Sequence, residues 1–222
     1  MVVSQKKLLL FTAVTLVLIV LSYLFVDQTI AHYFIAHAKE YKAFGKTMSF
    51  TGESQWYIAI AVFGALYYLK KSSRKMQKFL FLLYANLFSG FISLILKLII
   101  ARLRPWKLEH EGEAYGFLIT QNPDFSFLEK LKYQFSILLA DATPNTSFPS
   151  GHTTTLFVLF TYMSILFPRY IYLWLSFALF GASMRILAND HFLSDTLGGM
   201  LLGVLCTLYI YSKMKEKIEK NS

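Results

Sequence analysis

The sequence alternates long apolar runs with short polar segments. Six of the runs predict membrane-crossing helices, because a helix needs about 20 apolar residues to cross the hydrocarbon core of a bilayer. Several runs are shorter than this, so their polar ends have to reach into the membrane interfaces. The second run is the weakest, since Glu53 lies at its entrance. The predicted spans are residues 8–26, 54–70, 79–101, 152–168, 170–187 and 196–212.

Composition supports an all-α integral membrane fold. Hydrophobic residues make up 55% of the 222 residues and charged residues only 16%, whereas a soluble domain typically carries about 25% charged residues. Lipid rather than water is therefore expected to cover most of the surface. We predict six transmembrane helices in a single domain, residues 1–222, because no repeat or linker divides the sequence.

Lysine and arginine in the short connecting segments predict the orientation, because cytoplasmic loops carry an excess of these residues. With six spans, all of these segments fall on one side, and both termini are predicted to be cytoplasmic. The same anchors account for the net charge of +9. No basic and aromatic face stands apart from the spans, so nucleic acid is not an expected partner. The anchors are Lys6, Lys7, Lys70, Lys71, Arg74, Lys75, Lys78, Arg169, Lys213, Lys215, Lys217 and Lys220.

Two longer segments, residues 27–53 and 102–151, fall on the opposite side of the membrane. The first carries aromatic residues at roughly helical spacing, which predicts an interfacial helix within residues 28–45. Residues 127–139 predict a second one. Both are candidates to flank a lateral entry between spans.

The N-terminal run is open to two interpretations. Residues 8–26 form a 19-residue apolar run, longer than the h-region of about 7–15 residues in a secretory signal. This favours an uncleaved first span. Cleavage after the Thr29-Ile30-Ala31 stretch is the alternative.

A basic cluster, Lys97 to Pro105, lies at the outer end of the third predicted span. Lys97 and Arg104 are seven positions apart, so on a helix they share one face. Pro105 disfavours helix at the residue before it. Lys97, Arg102 and Arg104 are also open to interpretation as interfacial anchors that reach the headgroups. Their place on the non-cytoplasmic side, where anchors are few, favours a functional role.

A second cluster, Ser147 to His152, opens the fourth predicted span. The start of a helix favours an anion, because its N–H groups are free and its dipole is positive there. Gly151 lets the backbone approach a ligand closely, and Ser150 can donate a hydroxyl or cap the helix. A plain turn with a helix cap, and His152 at the interface, is the alternative.

A third cluster, Arg185 to Asp195, lies between the fifth and sixth predicted spans. Arg185 falls in the last turn of an apolar helix, where an ionisable residue suggests function. His191 and Asp195 are four positions apart, so on a helix they face each other. Asp195 can then hold one imidazole nitrogen and leave the other free to attack. The alternative is a helix cap beside a solvated His191.

The predicted topology places all three clusters at the same face of the membrane. Together they supply several cations, a helix start, two histidines and a carboxylate, which suits a phosphate monoester whose charge grows during transfer. No cluster of His, Cys and Asp has the spacing of metal ligands. The sequence therefore predicts phosphate chemistry without a metal or another cofactor.

The three clusters resemble the motifs of the type-2 phosphatidic acid phosphatase superfamily, which also includes vanadium haloperoxidases and glucose-6-phosphatase. The family pattern is Lys, six residues, Arg-Pro; then Pro-Ser-Gly-His; then Ser-Arg, five residues, His, three residues, Asp. All spacings match within segments 97–105, 149–152 and 185–195, and the resemblance covers about residues 90–205. Met184 stands where the family usually has Ser, and Asn189 where it often has Gly.

This resemblance implies a core helix bundle of the phosphatase and haloperoxidase kind, and it assigns roles to residues. His191 is implied as the nucleophile that forms a phosphohistidine, Asp195 as the residue that orients it, and His152 as the general acid. The residues implied to bind the phosphoryl oxygens are Lys97, Arg104, Ser150, Gly151 and Arg185.

The expected function is a metal-independent phosphoric monoester hydrolase of the bacterial inner membrane, with a periplasmic active site. A lipid phosphate is the expected substrate, since the pocket lies at headgroup depth and the chains can stay in the bilayer. Lipid A, phosphatidylglycerophosphate, undecaprenyl pyrophosphate and phosphatidic acid are candidates. The long segment 106–146 resembles the lipid A branch and favours lipid A. A non-catalytic lipid-phosphate binding or transport protein is the alternative, and the oligomeric state is not indicated.

Overall fold

The computed structural model describes residues 4–108, 124–139 and 146–219. Every regular element in these ranges is helical, as the sequence predicts, and short 3-10 turns join several of the helices. Residues 109–123 and 140–145, about half of the segment 106–146 that favours lipid A, lie outside the described residues. The helices are α1 (Gln5–Leu21), α2 (Asp27–Ala36), α3 (Ala38–Met48), α4 (Ser54–Tyr68), α5 (Ser73–Ile100), α6 (Phe127–Leu139), α7 (Gly151–Leu166), α8 (Ile171–Leu187) and α9 (Leu193–Glu219).

The first span is longer than predicted. A π-helical turn, Ser22–Val26, joins α1 to α2, so that helical structure runs from Gln5 to Ala36. The prediction ends this span at residue 26, because the apolar run stops at Asp27. Asp27 is instead fully buried inside the protein, where other segments supply its hydrogen bonds, so the helix continues through it.

The segment predicted as an interfacial helix forms α2 and α3, with a break at His37. Aromatic side chains pack across this break: the rings of Tyr33 and His37 stack 4.3 Å apart, and Phe34 meets Tyr41 edge-on at 5.5 Å. The helically spaced aromatic residues therefore pack against one another, which stabilises the bend between the two helices.

Among the residues that the structure describes, four helical segments are long and apolar enough to cross a membrane: Gln5–Ala36, Ser73–Lys107, Pro168–Leu187 and Leu193–Glu219. Helices also form at the second and fourth predicted spans, but α4 has 15 residues and α7 has 16. At about 1.5 Å per residue, these helices are shorter than a hydrocarbon core of about 30 Å. The predicted count of six spans is therefore not confirmed, although a multi-pass membrane protein is.

Close packing of α7 on α9 positions the functional clusters. Gly199 and Gly203 lie one turn apart on α9, and a Cβ atom added to them would lie 2.6 Å from the Ser150 carbonyl oxygen and 2.5 Å from the Thr154 carbonyl oxygen, respectively. Small residues four apart let two membrane helices approach to backbone contact. Because of this contact, the start of α7 lies directly against the start of α9.

A compact apolar cluster holds the other end of the same bundle. It joins the N-terminal half of α5 to the C-terminal halves of α7 and α9, with Ala61 of α4 at its edge. This packing leaves the opposite end of the bundle, where α5 and α8 end and α7 and α9 begin, for polar groups. The buried members of the cluster are Ala61, Phe81, Leu82, Ala85, Val158, Tyr162, Met214 and Ile218.

Candidate active site

Backbone hydrogen bonds connect the three clusters at the end of the bundle. Helix α5 ends at Ile100, and the next residue, Ala101, caps it in a left-handed conformation with φ of 46°. Just beyond it, the Arg102 carbonyl accepts a hydrogen bond of 2.9 Å from the Ser147 N–H. The Ser150 N–H in turn donates to the Asp195 carbonyl at 3.0 Å. Segments that are distant in sequence thus form one continuous site.

His191 occupies the centre of this site and is 2% exposed. Its Nδ1 lies 2.7 Å from the Ser147 carbonyl oxygen and 3.8 Å from Asp195 Oδ2. A carbonyl oxygen only accepts, so Nδ1 carries the proton and Nε2 keeps its lone pair. The prediction that Asp195 itself holds the imidazole differs from this arrangement, in which the carbonyl sets the tautomer and Asp195 acts through its charge.

Burial lowers the pKa of His191 well below its ordinary value, and the positive charges of Arg104, Arg185 and Lys97 act in the same direction, as does His152. These groups affect the imidazole because they surround it. A lowered pKa keeps the ring neutral at physiological pH, which is the form that a nucleophile needs.

The predicted phosphate-binding cations converge around the site. Lys97 Nζ lies beside Gly151, 3.9 Å from the position that a Cβ atom on this glycine would take. Asp190 lies between the two arginines: its carboxylate is 2.8 Å from Arg185 Nη2 and 4.0 Å from Arg104 Nη1. The Nε atoms of both arginines are buried without a hydrogen-bond partner among the described residues. These donors are available to an anion.

The start of α7 combines both interpretations of its sequence. Ser150 is fully buried and caps the helix, with its oxygen accepting from the Thr153 N–H at 3.4 Å and from the Thr153 hydroxyl at 3.0 Å. Its own hydroxyl hydrogen stays available to a ligand. Gly52, from the 3-10 turn Ser49–Gly52, packs on His152, and a Cβ atom added to it would lie 2.7 Å from His152 Cβ. This contact restrains His152.

Asp195 is fully buried and accepts hydrogen bonds on both carboxylate oxygens. Its Oδ2 receives the Ser147 hydroxyl at 2.5 Å and the Phe192 N–H at 2.8 Å. Its Oδ1 receives Arg102 Nη1 at 2.6 Å. Ser147 therefore contacts Asp195 through its side chain and His191 through its carbonyl, and so connects the two.

Four residues of this site were not among those predicted: Asp27, Arg102, Ser147 and Asp190. Arg102 belongs to the predicted basic cluster without an assigned role in the site, and it is 2% exposed. Asp27 borders an apolar run, and a carboxylate in such a place is a signal for function. Ser147 holds His191 through its backbone carbonyl, a group that every residue has. The residue type at position 147 therefore could not have indicated this contact.

The two departures from the family pattern have local explanations. Asn189 adopts φ of 57°, a left-handed conformation that glycine reaches freely and that asparagine tolerates better than most residues. Met184 is buried, and the neighbouring Ser183 donates its hydroxyl to the Phe180 carbonyl. Ser183 therefore does not take the place of the missing serine.

Within residues 4–108, 124–139 and 146–219, no group of three or more His, Cys, Asp or Glu residues is placed to hold a metal ion. The metal independence inferred from the sequence stays a prediction. The positive charge around His191 comes from the protein's own side chains.

Comparison with known proteins places these residues in a family. The profile of the PAP2 superfamily matches residues 78–219, which include all three clusters. A lipid A 1-phosphatase of Rhizobium etli is 27% identical over 187 residues, which cover 78% of this chain and 72% of the relative. One of Rhizobium johnstonii is 29% identical over 179 residues, or 75% of this chain and 65% of the relative.

A third relative, a lipid A 1-phosphatase of Porphyromonas gingivalis, is 37% identical over 78 residues, which are 33% of this chain and 18% of the relative. No solved structure matches the chain significantly. The family profile covers more than half of the chain, and the spacing of the three clusters agrees with it. This protein belongs to the PAP2 superfamily, that of the type-2 phosphatidic acid phosphatases.

Proposed function

We propose that this protein is a membrane phosphatase that removes a phosphate group from lipid A through a phosphohistidine intermediate. Membership of the PAP2 superfamily and relatives named lipid A 1-phosphatase support a lipid phosphatase. The observation that carries the mechanism is the state of His191. Its imidazole is buried, held by Nδ1 on a carbonyl, and surrounded by cations that attract a phosphate.

In the first step, the lone pair of His191 Nε2 forms a bond to phosphorus while the bond from phosphorus to the lipid oxygen breaks. His152 gives its proton to that oxygen, so the lipid leaves as an alcohol. The negative charge of the bound phosphate favours the protonated form of His152. In the second step, the oxygen of a water forms a bond to phosphorus while the bond from phosphorus to His191 Nε2 breaks. The water gives a proton to His152, and inorganic phosphate and free His191 result.

Lys97, Arg104 and Arg185 supply fixed positive charge to the phosphoryl oxygens, and Ser150 with the Gly151 N–H adds neutral donors. Groups that are already positioned need no reorganisation as charge develops, which is why such arrangements lower the barrier. The buried Nε atoms of Arg104 and Arg185 have no partner within the described residues, and a phosphate would satisfy them.

A groove of about 520 Å³ leads from this site along α5. Lys97 and His152 line one end, and Asn86 lines the other. Asn86 and Lys97 are eleven positions apart on α5, which corresponds to about 16 Å along a helix. The groove therefore extends to the hydrocarbon depth of a bilayer. The walls come from α4, α5 and α7. A phosphate at the site could therefore keep an acyl chain in the groove.

The groove does not lie beside residues 28–45 and 127–139, where the lipid entry was expected. No described residue of either segment lines it. We propose instead that the lipid enters between α4 and α5.

We further propose that residues 1–222 form one domain with six membrane-crossing helices in a bacterial inner membrane, with both termini cytoplasmic and the site periplasmic. Lysine and arginine cluster at the ends of α4 and α9, away from the site. This supports the proposed orientation, because cytoplasmic segments carry an excess of these residues.

The test is a substrate panel with the protein purified in detergent. Lipid A, phosphatidylglycerophosphate, undecaprenyl pyrophosphate and phosphatidic acid are each assayed for the initial rate of phosphate release. We expect lipid A to be hydrolysed fastest, EDTA to leave the rate unchanged, and His191→Ala to abolish release. Vanadate, which mimics the transferred phosphoryl group, is expected to inhibit. Release lost on chelation would refute the mechanism. Binding without release from any lipid would favour a non-catalytic binding or transport protein.

A further inference from the structure

A buried chain of charged groups connects Asp195 to the first span. Arg102 donates from Nη1 to Asp195 Oδ1 at 2.6 Å and from Nη2 to Asp27 Oδ2 at 2.8 Å. All three side chains are at most 2% exposed. The residues come from α2, from the turn after α5 and from the start of α9, so the network exists only in the folded bundle.

Each end of this network is saturated with hydrogen bonds. Asp27 accepts the Ser22 hydroxyl at 2.7 Å, the Ser194 N–H at 3.0 Å and the Ser194 hydroxyl. Asp27 therefore also caps the start of α9, the helix that carries Asp195. Arg102 packs over the Phe192 ring, with Cζ 4.1 Å from the ring centre. A charge so far from water is maintained only where it is paired and hydrogen-bonded in this way.

The network determines which way the Asp195 carboxylate points. Because Arg102 takes Oδ1, Oδ2 is left to the Ser147 hydroxyl and the Phe192 N–H. Ser147 then presents its carbonyl to His191 Nδ1 at 2.7 Å. A rotation of the carboxylate would release Ser147 and, through it, the carbonyl that sets the tautomer and angle of the imidazole.

We propose that Asp27 and Arg102 are positioning residues that set the orientation of the nucleophile His191 by holding Asp195. The proposal rests on the function proposed above. The matched family profile begins at residue 78, so Asp27 lies outside it, in a span that the family motifs do not include. Cleavage after Ala31 would remove Asp27 from the site.

The test measures kcat and KM of four variants on lipid A in detergent: Asp27→Asn, Arg102→Lys, Arg102→Gln and the double variant Asp27→Asn with Arg102→Gln. Asn keeps the shape of Asp27 without its charge. Lys keeps the charge of Arg102 without the two terminal nitrogens that bond Asp195 and Asp27 separately. We expect kcat to fall about tenfold in Asp27→Asn and about 100-fold in Arg102→Gln, with KM within twofold of wild type. Arg102→Lys should restore part of the loss.

The double variant separates positioning from general damage. If Asp27 acts through Arg102, removing its charge in the Arg102→Gln protein costs no further kcat, so the double variant should match Arg102→Gln alone. Thr207→Val is the matched control, because Thr207 is equally buried in α9 and, among the described residues, its hydroxyl bonds within the helix, to the Gly203 carbonyl. It should keep wild-type kcat. Melting temperatures are measured for all variants, and kcat is compared well below the lowest one.

Wild-type kcat in both Asp27→Asn and Arg102→Lys would overturn the proposal. So would variants in which only KM changes, or a double variant whose loss of kcat equals the product of the two single losses. If Arg102→Gln does not fold, Asp27→Asn and Arg102→Lys decide it on the same criteria. If the wild type hydrolyses no lipid phosphate, the proposed function fails, and thermal stabilisation by orthovanadate becomes the readout. The proposal is then supported if orthovanadate raises the melting temperature of Asp27→Asn less than that of the wild type and of Thr207→Val. An equal rise in all three proteins overturns it.

Discussion

At the residue scale, the central feature is a histidine kept neutral among cations. Burial is the main cause of the low pKa of His191, and Arg104, Arg185 and Lys97 add to it. The same cations that would hold a phosphate thus keep His191, the proposed nucleophile, unprotonated. When a phosphate arrives, it offsets their charge, while the Ser147 carbonyl still holds Nδ1–H. Binding and nucleophilicity therefore depend on the same residues.

The low pKa of His191 predicts a pH effect on stability. Between its ordinary pKa near 6.5 and its lower folded-state pKa, the unfolded chain binds a proton that the folded chain does not. Stability should therefore rise with pH in this window and be lost as pH falls below about 6.5, by up to about 1.4 kcal/mol per pH unit. Thermal unfolding in detergent at pH 7.5, 6.5 and 5.5 measures this.

His191→Asn is the matched variant for this pH test, because asparagine does not titrate and can still donate to the Ser147 carbonyl. Its melting temperature should fall less than that of the wild type between pH 6.5 and 5.5. Parallel curves for the two proteins would contradict a lowered pKa for His191.

Arg185→Lys should lower kcat/KM at least tenfold. Arg185 has Nη2 on Asp190 at 2.8 Å and a buried Nε without a partner among the described residues, so it can hold Asp190 and a phosphate at once. A lysine offers one ammonium group and cannot do both. Arg169→Lys, an exposed substitution in the turn before α8, is the control and should keep wild-type rates. Equal rates in the two variants would argue against a phosphate role for Arg185.

At the element scale, close approaches of helices and turns position the residues that are proposed to be catalytic. The glycine pair on α9 brings the start of α7 against Asp195, and the turn Ser49–Gly52 presses on His152. Gly45 of α3 likewise lies against the end of α8, where an added Cβ would be 2.6 Å from the Ala188 backbone nitrogen. Residues outside the family motifs therefore help to shape the site.

Gly52→Ala should lower kcat about 10- to 100-fold. The added Cβ would lie 2.7 Å from His152 Cβ and 3.1 Å from its carbonyl oxygen, so the backbone at His152 has to move, and small displacements of a catalytic group are costly. Gly90→Ala on α5 is the control, since nothing lies within 4 Å of its added Cβ. Rates on the short substrate p-nitrophenyl phosphate measure the effect without involving the groove. Indistinguishable rates would show that Gly52 does not restrain His152.

At the scale of the whole molecule, the proposed orientation places α6 outside the cytoplasm and the start of α5 inside. Ser136→Cys and Ser73→Cys are matched exposed substitutions at these two places, made in a Cys206→Ala protein that has no other cysteine. A membrane-impermeant maleimide should label Ser136→Cys in intact spheroplasts and Ser73→Cys only after permeabilisation. The reverse pattern would place the site in the cytoplasm.

The sequence by itself determined the helical class, the positions of α4, α5, α7, α8 and α9, and the motif residues that surround His191. Hydropathy and motif spacing are local properties, so these features can be deduced without coordinates. Its limits are equally local. The prediction ends the first span at residue 26, where the apolar run stops, whereas helical structure continues to Ala36, and the lengths of α4 and α7 do not confirm that they cross the membrane.

Only the tertiary structure decided what holds His191, the proposed nucleophile. The partner of His191 Nδ1 is a backbone carbonyl 44 positions away, and the ion pairs of Arg102 join residues 75 and 93 positions from it. Such contacts depend on how α7 and α9 pack and on where the first span is placed beside them, which no spacing along the chain encodes. The same packing excludes water from Asp27, Arg102 and Asp195 and so turns an apparent surface anchor into an internal support of the site.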